Sequence, residues 1–222
     1  MLENDYIMRL VQVLTQALAD ILFFKKKKEF PKALDAIKTS SQKLLGVDLN
    51  VLQRLSEIQM IELLVLDPSM GKVRCYAAGM LLKEESEILA EEGKVSDSIT
   101  LFTKALSLLA ESAIRNNGPI DSSHERAIDD VEGSLRGRDV PVHIEKKLFY
   151  YYESANRYAD AVEVLYDLLK LEPSYKKEGM EFCERLKEKS DEQLRIGKFS
   201  RKAVDNLTAD LSSRKWLPSD AS

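Results

Sequence analysis

His124 and Glu125 stand together like the opening of a metalloprotease helix, in which a second histidine four residues on shares one zinc ion with the first. Position 128 is Ile128, so two ligands do not share a helical face, and the pair reads as polar residues in a helix's first turn. Asp129, Asp130 and Glu132 follow closely. Carboxylates suit a hard cation, but the loop and glycine spacing of a calcium site is missing, and these three read as a solvated helix face. Cys75 and Cys183 have neither a C-x-x-C spacing nor ligands nearby and read as buried free thiols. The sequence holds no glycine-rich phosphate loop, nucleophile elbow or informatively spaced Cys-His pair. No catalytic, metal or cofactor residue is therefore assigned, and the chain is not expected to be an enzyme.

Two other groups suggest contact rather than catalysis. Phe23 and Phe24 precede Lys25, Lys26, Lys27 and Lys28. A basic cluster beside an apolar stripe offers an anionic membrane surface both attraction and insertion; the preferred reading is a solvated helix end whose charge complements the helix dipole. Phe149, Tyr150, Tyr151 and Tyr152 are consecutive, so they spread around a helix and cannot all be core.

The elements that position these residues are helical. Of 222 residues, 44% are hydrophobic and 32% charged, with 9 Gly, 6 Pro and 7% aromatics. That scarcity of turn residues excludes an all-β sandwich, a disordered chain and a collagen-like one, leaving an all-α fold. A chain this long buries about 70% of the surface its unfolded form exposes, so it needs no disulfide or metal. The net charge of −4 favours neither nucleic-acid binding nor an acidic tail. Residues 6–24 are apolar but carry Arg9, Gln12, Gln16 and Asp20 at helical spacing. No small-residue cleavage site follows a basic start, so neither a signal peptide nor a spanning helix is expected and a cytoplasmic location is.

Apolar residues recur at three- and four-residue intervals along most of the chain. The first helix is expected from Asn4 or Asp5 into the four lysines, then helices over 30–45, with Pro31 in the first turn and Gly46 at the end, and over 50–66. Asp67-Pro68-Ser69-Met70-Gly71 is read as a break. Helices over 73–92 and 95–114 follow, then a stop at Asn116-Asn117-Gly118-Pro119. Asp121 or Ser122 caps a helix to Leu135, and Gly137 to Pro141 ends it. Further helices are expected over 142–157, 158–171, 175–190 and 199–213, with Trp216 and Pro218 in a tail: about ten in all, joined by short connections that force antiparallel neighbours.

The segment from Asn156 through Tyr158, Ala161 and Leu165 to Pro173 resembles the second helix of a tetratricopeptide repeat (TPR), a helix-turn-helix of about 34 residues. Gly93 to Leu106, with Ser98 small and Phe102 large, is a second match; Lys28 to Ile37, with Phe30 and Ala33, is a third. Anchors Phe30, Val95 and Tyr158 are 65 and 63 residues apart, as if recognisable hairpins alternate with degenerate ones. Phe149 stands where the pattern wants a small residue, and 114–141 fits no repeat. The resemblance implies one degenerate TPR-like right-handed solenoid or bundle over 1–222, with a possible sub-boundary at 67–71 and an irregular segment at 114–141. It packs Leu148 and Tyr152 between helices and sets His143, Lys146, Tyr150 and Glu153 along the concave side, where such stacks hold peptides. Tyr150 replaces the Asn of the chaperone-binding carboxylate clamp, which disfavours that ligand.

The whole chain also resembles an uncharacterised, mainly Firmicute, family of helical proteins, on Asn4-Asp5-Tyr6-Ile7-Met8-Arg9 followed by Leu18-Ala19-Asp20-Ile21-Leu22-Phe23. That family lends no catalytic residue. The expected role is a non-catalytic scaffold binding a peptide or helix of another protein. The alternatives are a membrane-surface adaptor using the first helix and its lysines, and a helical bundle with an enzymatic or small-molecule site between helices. Met8 and Phe23 extend the first helix's apolar stripe beyond one neighbour's reach, which points to self-association.

Overall fold

In a computed structural model, the chain is described from residue 2 to residue 213, with side chains from Ile7 onward. Trp216 and Pro218 lie outside the described residues. These form twelve α-helices and one 3-10 turn, with no strand among them. The chain divides between Val140 and Pro141 into two compact units, so the division falls at the end of segment 114–141 and not at 67–71.

The first unit contains α1 (Leu2–Lys26), α2 (Phe30–Leu45), α3 (Leu49–Gln53), α4 (Glu57–Leu64), α5 (Pro68–Glu91), α6 (Val95–Arg115) and α7 (Ser122–Leu135). Helix α5 is its axis: it packs against α1, α2, α4, α6 and α7, and most of its side chains from Met70 to Ile88 are buried. A helix buried on all sides has neighbours on all sides. Its closest approach is to α6, where a Cβ on Gly79 would lie 2.7 Å from Leu109 Cγ and the Ser112 hydroxyl donates to the Lys72 carbonyl at 2.7 Å.

Several expected boundaries shift for identifiable reasons. Helix α1 starts at Leu2, so Asn4 and Asp5 lie inside it. The helix expected over 50–66 is two, because Ser56 and Gln59 form a capping box that starts α4 afresh, while Lys104 of α6 donates to the carbonyls of Gln53 and Leu55. The break expected at Asp67 to Gly71 falls at its start, between α4 and α5: the Asp67 carboxylate accepts from Ser69 N–H as the N-cap and Pro68 opens α5 as a first-turn proline. Segment 114–141 contains a regular helix, α7, capped by Asp121, whose carboxylate accepts from the N–H groups of Ser123 and His124.

The second unit contains α8 (Val142–Ser154), α9 (Tyr158–Leu171), the 3-10 turn Pro173–Tyr175, α10 (Lys176–Lys187), α11 (Asp191–Ile196) and α12 (Arg201–Ser213). Here too the expected helix 175–190 stops early, and a second capping box, Ser190 with Gln193, begins a separate α11. Helices α8 and α9 pair, and α10 pairs with α12. Phe149 is buried, its ring against Tyr175 and Phe182 at centroid distances of 5.8 and 5.1 Å. That contact is why a large residue occupies the position where the repeat pattern asks for a small one.

The three hairpins α1/α2, α5/α6 and α8/α9 turn in the same way. Lys28, Gly93 and Asn156 are left-handed, with φ of 56°, 79° and 57°. In each, the next residue's N–H reaches back five residues: Glu29 to Phe24, Lys94 to Leu89, Arg157 to Tyr152. This is the 6→1 bond of a Schellman motif. One turn further on, Ala33, Ser98 and Ala161 are buried small residues where the paired helices approach. What separates the hairpins is less regular than alternating hairpins: α3 and α4 in one gap, α7 alone in the other.

Candidate functional site

Helices α1, α5 and α7 border an open groove of about 470 Å³ in the first unit. Leu14, Leu18 and Leu22 of α1 and Tyr76 and Met80 of α5 give it apolar walls, and Arg126 and Asp130 of α7 a polar edge. At one end lies a charge cluster that the sequence reading missed. Lys25 is buried, 8% exposed, and donates to Glu84 at 2.5 Å and to Glu87. Lys83 donates to Glu87 at 2.5 Å and lies 3.6 Å from Asp130. Burial opposes the charge on Glu87, yet the hydrogen bonds from Lys25 and Lys83 outweigh it and hold its carboxyl below the ordinary range. Burial likewise opposes the charge on Lys83, and Glu87, Glu84 and Asp130 overcome it, raising that ammonium above its usual value. Lys25 therefore neither faces solvent nor reaches for a membrane; Lys26, Lys27 and Lys28 remain exposed.

His124 lies in the first turn of α7, as its type and spacing predict. It is fully buried, with Nε2 2.9 Å from the Leu109 carbonyl and Nδ1 accepting from Ile120 N–H at 3.2 Å. These two bonds select the neutral tautomer with the proton on Nε2. Burial lowers its pKa to about 4, against the weaker opposing pull of the Leu109 carbonyl and Asp121. Its ring packs on Tyr76 with centroids 4.5 Å apart, and the Tyr76 hydroxyl donates to Asp121 at 3.3 Å. Both ring nitrogens are engaged, so the imidazole serves as a pin between α6 and the start of α7.

The residues expected to form a partner-binding face lie on α8. His143 and Tyr150 are exposed, and Lys146 and Glu153 are half-buried. Lys146 pairs with Glu172 at 2.6 Å, with its ammonium 5.3 Å from the Tyr175 ring centroid. Glu153 accepts a two-pronged bond from Arg185 at 2.6 and 2.9 Å, and this bond raises the guanidinium's pKa above its ordinary value. Three of the four side chains are thus engaged within the unit, the Tyr150 hydroxyl by Tyr175 and Glu178, while the Tyr150 ring and His143 remain exposed. Leu148 and Tyr152 are buried.

The remaining candidates fall where their types suggest. Cys75 and Cys183 are buried and not joined in a disulfide, and Asp129 and Asp130 are exposed. No cluster of three or more His, Cys, Asp or Glu side chains suited to a metal ion occurs among the described residues. Residues Ile7–Lys26 are long and apolar enough to cross a bilayer, but Leu14, Ile21 and Lys25 point into the first unit. Met8 and Phe23, at 62% and 53% exposed, lie outside it.

The fold defines an all-α protein built of paired helices. The chain belongs to the family of unknown function DUF6483, which it matches over residues 1–214. Neither a characterised protein nor a solved structure matches it significantly.

Proposed function

We propose that this chain is a non-catalytic, TPR-like scaffold that works by binding a peptide or helix of another protein. The observation that carries the reading is the recurrence of one turn, left-handed at Lys28, Gly93 and Asn156, each followed by a buried small residue on the second helix. Recurrent helical hairpins build binding surfaces rather than enclosed reaction sites. The engagement of His124, Lys25, Lys83 and Glu87 in internal bonds supports the same view, since none is left poised for proton transfer. Tyr150, with His143 two turns away on the same face, is the anchor on α8: an exposed aromatic whose flat ring suits a peptide contact while its hydroxyl is held by Tyr175 and Glu178. Buried thiols outside any disulfide fit a reducing, cytoplasmic setting; a Firmicute origin is part of the same reading. In affinity capture from the source organism, the full chain retains a protein that Tyr150→Ala loses and Lys146→Ala keeps. Retention indifferent to Tyr150 would remove the assigned face.

One observation favours a second reading, contact with an anionic membrane surface. Phe23 is exposed with the Lys27 ammonium 4.1 Å from its ring centroid, beside exposed Lys26 and Lys28. Sedimentation with anionic vesicles, abolished when Lys26, Lys27 and Lys28 become Gln, would establish it; no sedimentation of the unaltered chain would dismiss it.

A further inference from the structure

The groove between α1, α5 and α7 is left open by the fold. Its floor is apolar and closed: Leu14, Tyr76, Met80 and Ala127 are all buried. One wall rises along α1, where Leu18, half-buried, and Leu22, 41% exposed, follow Leu14 at four-residue spacing and so stand in one line. From Leu14 to Leu22 that line runs about 12 Å. The groove's volume of about 470 Å³ lies within the range of small-molecule sites, and its long, narrow apolar wall suits one extended hydrocarbon chain.

The charges at the rim identify the occupant. Five charged side chains border the groove, and four have partners within the fold. Lys83 pairs with Glu87 and Glu84 with Lys25, both at 2.5 Å, and Asp130 lies 3.6 Å from Lys83. Asp121 accepts from the N–H groups of Ser123 and His124 and from the Tyr76 hydroxyl. Arg126 differs: its Nε donates to the Ser122 carbonyl at 3.1 Å and its Nη2 to the Ser123 hydroxyl at 3.4 Å, and the exposed guanidinium forms no ion pair among the described residues. The rim thus carries one uncompensated positive charge, on a planar fork that matches a carboxylate with two parallel hydrogen bonds. We propose that the groove binds a single-chain amphiphile with a carboxylate head, the head on the Arg126 guanidinium and the hydrocarbon chain along Leu18 and Leu22 over Met80. A cationic head finds no such seat, because the carboxylates on the same rim already hold partners. The site lies within the first unit and does not depend on the α8 face.

Calorimetric titration of the full chain with decanoate, decylamine and decanol tests this. One equivalent of decanoate binds, about tenfold or more tighter than either of the others. Arg126→Gln weakens decanoate by about tenfold and leaves decanol unchanged, and Arg126→Glu turns the preference to decylamine. Arg136→Gln, at another exposed arginine of the same unit, leaves decanoate binding as it is. In methyl NMR the Met80 signal shifts with decanoate, whereas that of Met60, buried in α4, stays in place. No saturable binding of decanoate, binding unchanged by Arg126→Gln, decylamine bound as tightly as decanoate, or an unmoved Met80 signal overturns the proposal. Arg126 and Arg136 are on the surface, and circular dichroism confirms that each variant retains its helices.

Discussion

The Lys25 ammonium of α1 lies 2.5 Å from the Glu84 carboxylate of α5, fifty-nine residues along the chain. The pair is buried and shares its charge with Glu87 and Lys83. Removing one partner from a buried pair leaves a charge without solvent or counterion, which costs about 3–5 kcal/mol. Lys25→Ala is expected to lower the unfolding free energy by that amount in urea titration, whereas Lys26→Ala, at its exposed neighbour, changes it by less than about 0.5 kcal/mol. Equal small effects at both positions would show that the lysines are a uniform solvated run.

The buried His124 makes stability depend on acid. Its folded pKa of about 4 lies below the ordinary 6.5, so between these values the unfolded chain binds more protons and stability rises with pH. The contribution is fully present above pH 6.5 and is lost as pH falls toward 4, amounting to about 3 kcal/mol. Glu87, whose pKa is lowered from 4.5, adds to this loss in more acid solution. Urea midpoints measured from pH 7 to pH 4 should fall steeply for the native chain and much less for His124→Gln. Parallel curves would contradict the buried neutral imidazole.

Much of the architecture is legible in the sequence, and the misreadings share a cause. Pro31, Gly46, Asp121 and Tyr158 mark helix limits where they are found, because caps and turns act locally. The helices expected over 50–66 and 175–190 both stop short of a Ser-x-x-Gln capping box, at Ser56 and Ser190, and that local signal starts a new helix each time. The burial of Lys25 and His124 escapes a local reading for another reason. Their roles depend on Glu84 and on the Leu109 carbonyl, contacts made only when distant helices meet. Charge and polarity alone place such residues in solvent. The face on α8 was legible as far as exposure goes, but the internal pairing of Lys146 and Glu153 needed Glu172 and Arg185 to be brought beside them.

The shared hairpin turn has a backbone cost that differs with the residue in it. Gly93 adopts its positive φ freely, and a Cβ there would meet nothing within 4 Å. Gly93→Ala should therefore destabilise by about 1 kcal/mol through backbone strain alone. Lys28→Gly should relieve the same strain and stabilise, by about 0.5 kcal/mol after the added freedom of the unfolded chain is subtracted. Denaturation midpoints that move in the same direction for both changes would contradict the equivalence of the turns.

Two other glycines separate packing from conformation. At Gly197 a Cβ would overlap Tyr158 Cδ2 and lie 2.5 Å from the Asn156 carbonyl oxygen. Gly197→Ala should thus cost about 1–3 kcal/mol or more. At Gly133, inside α7, it would meet nothing within 4 Å, and Gly133→Ala should stabilise by about 0.5–1 kcal/mol. Thermal melts of the two variants should shift in opposite directions; a neutral Gly197→Ala would mean that the α11 end is not held against the α8/α9 turn.

The central claim is that this chain acts by holding another protein, and quantitative affinity capture from the source organism, read by mass spectrometry, tests it most directly. The account predicts a protein retained in near-stoichiometric amount by the native chain, lost with Tyr150→Ala and kept with Lys146→Ala. Capture of no protein above a mock control, or retention unchanged by Tyr150→Ala, would contradict it.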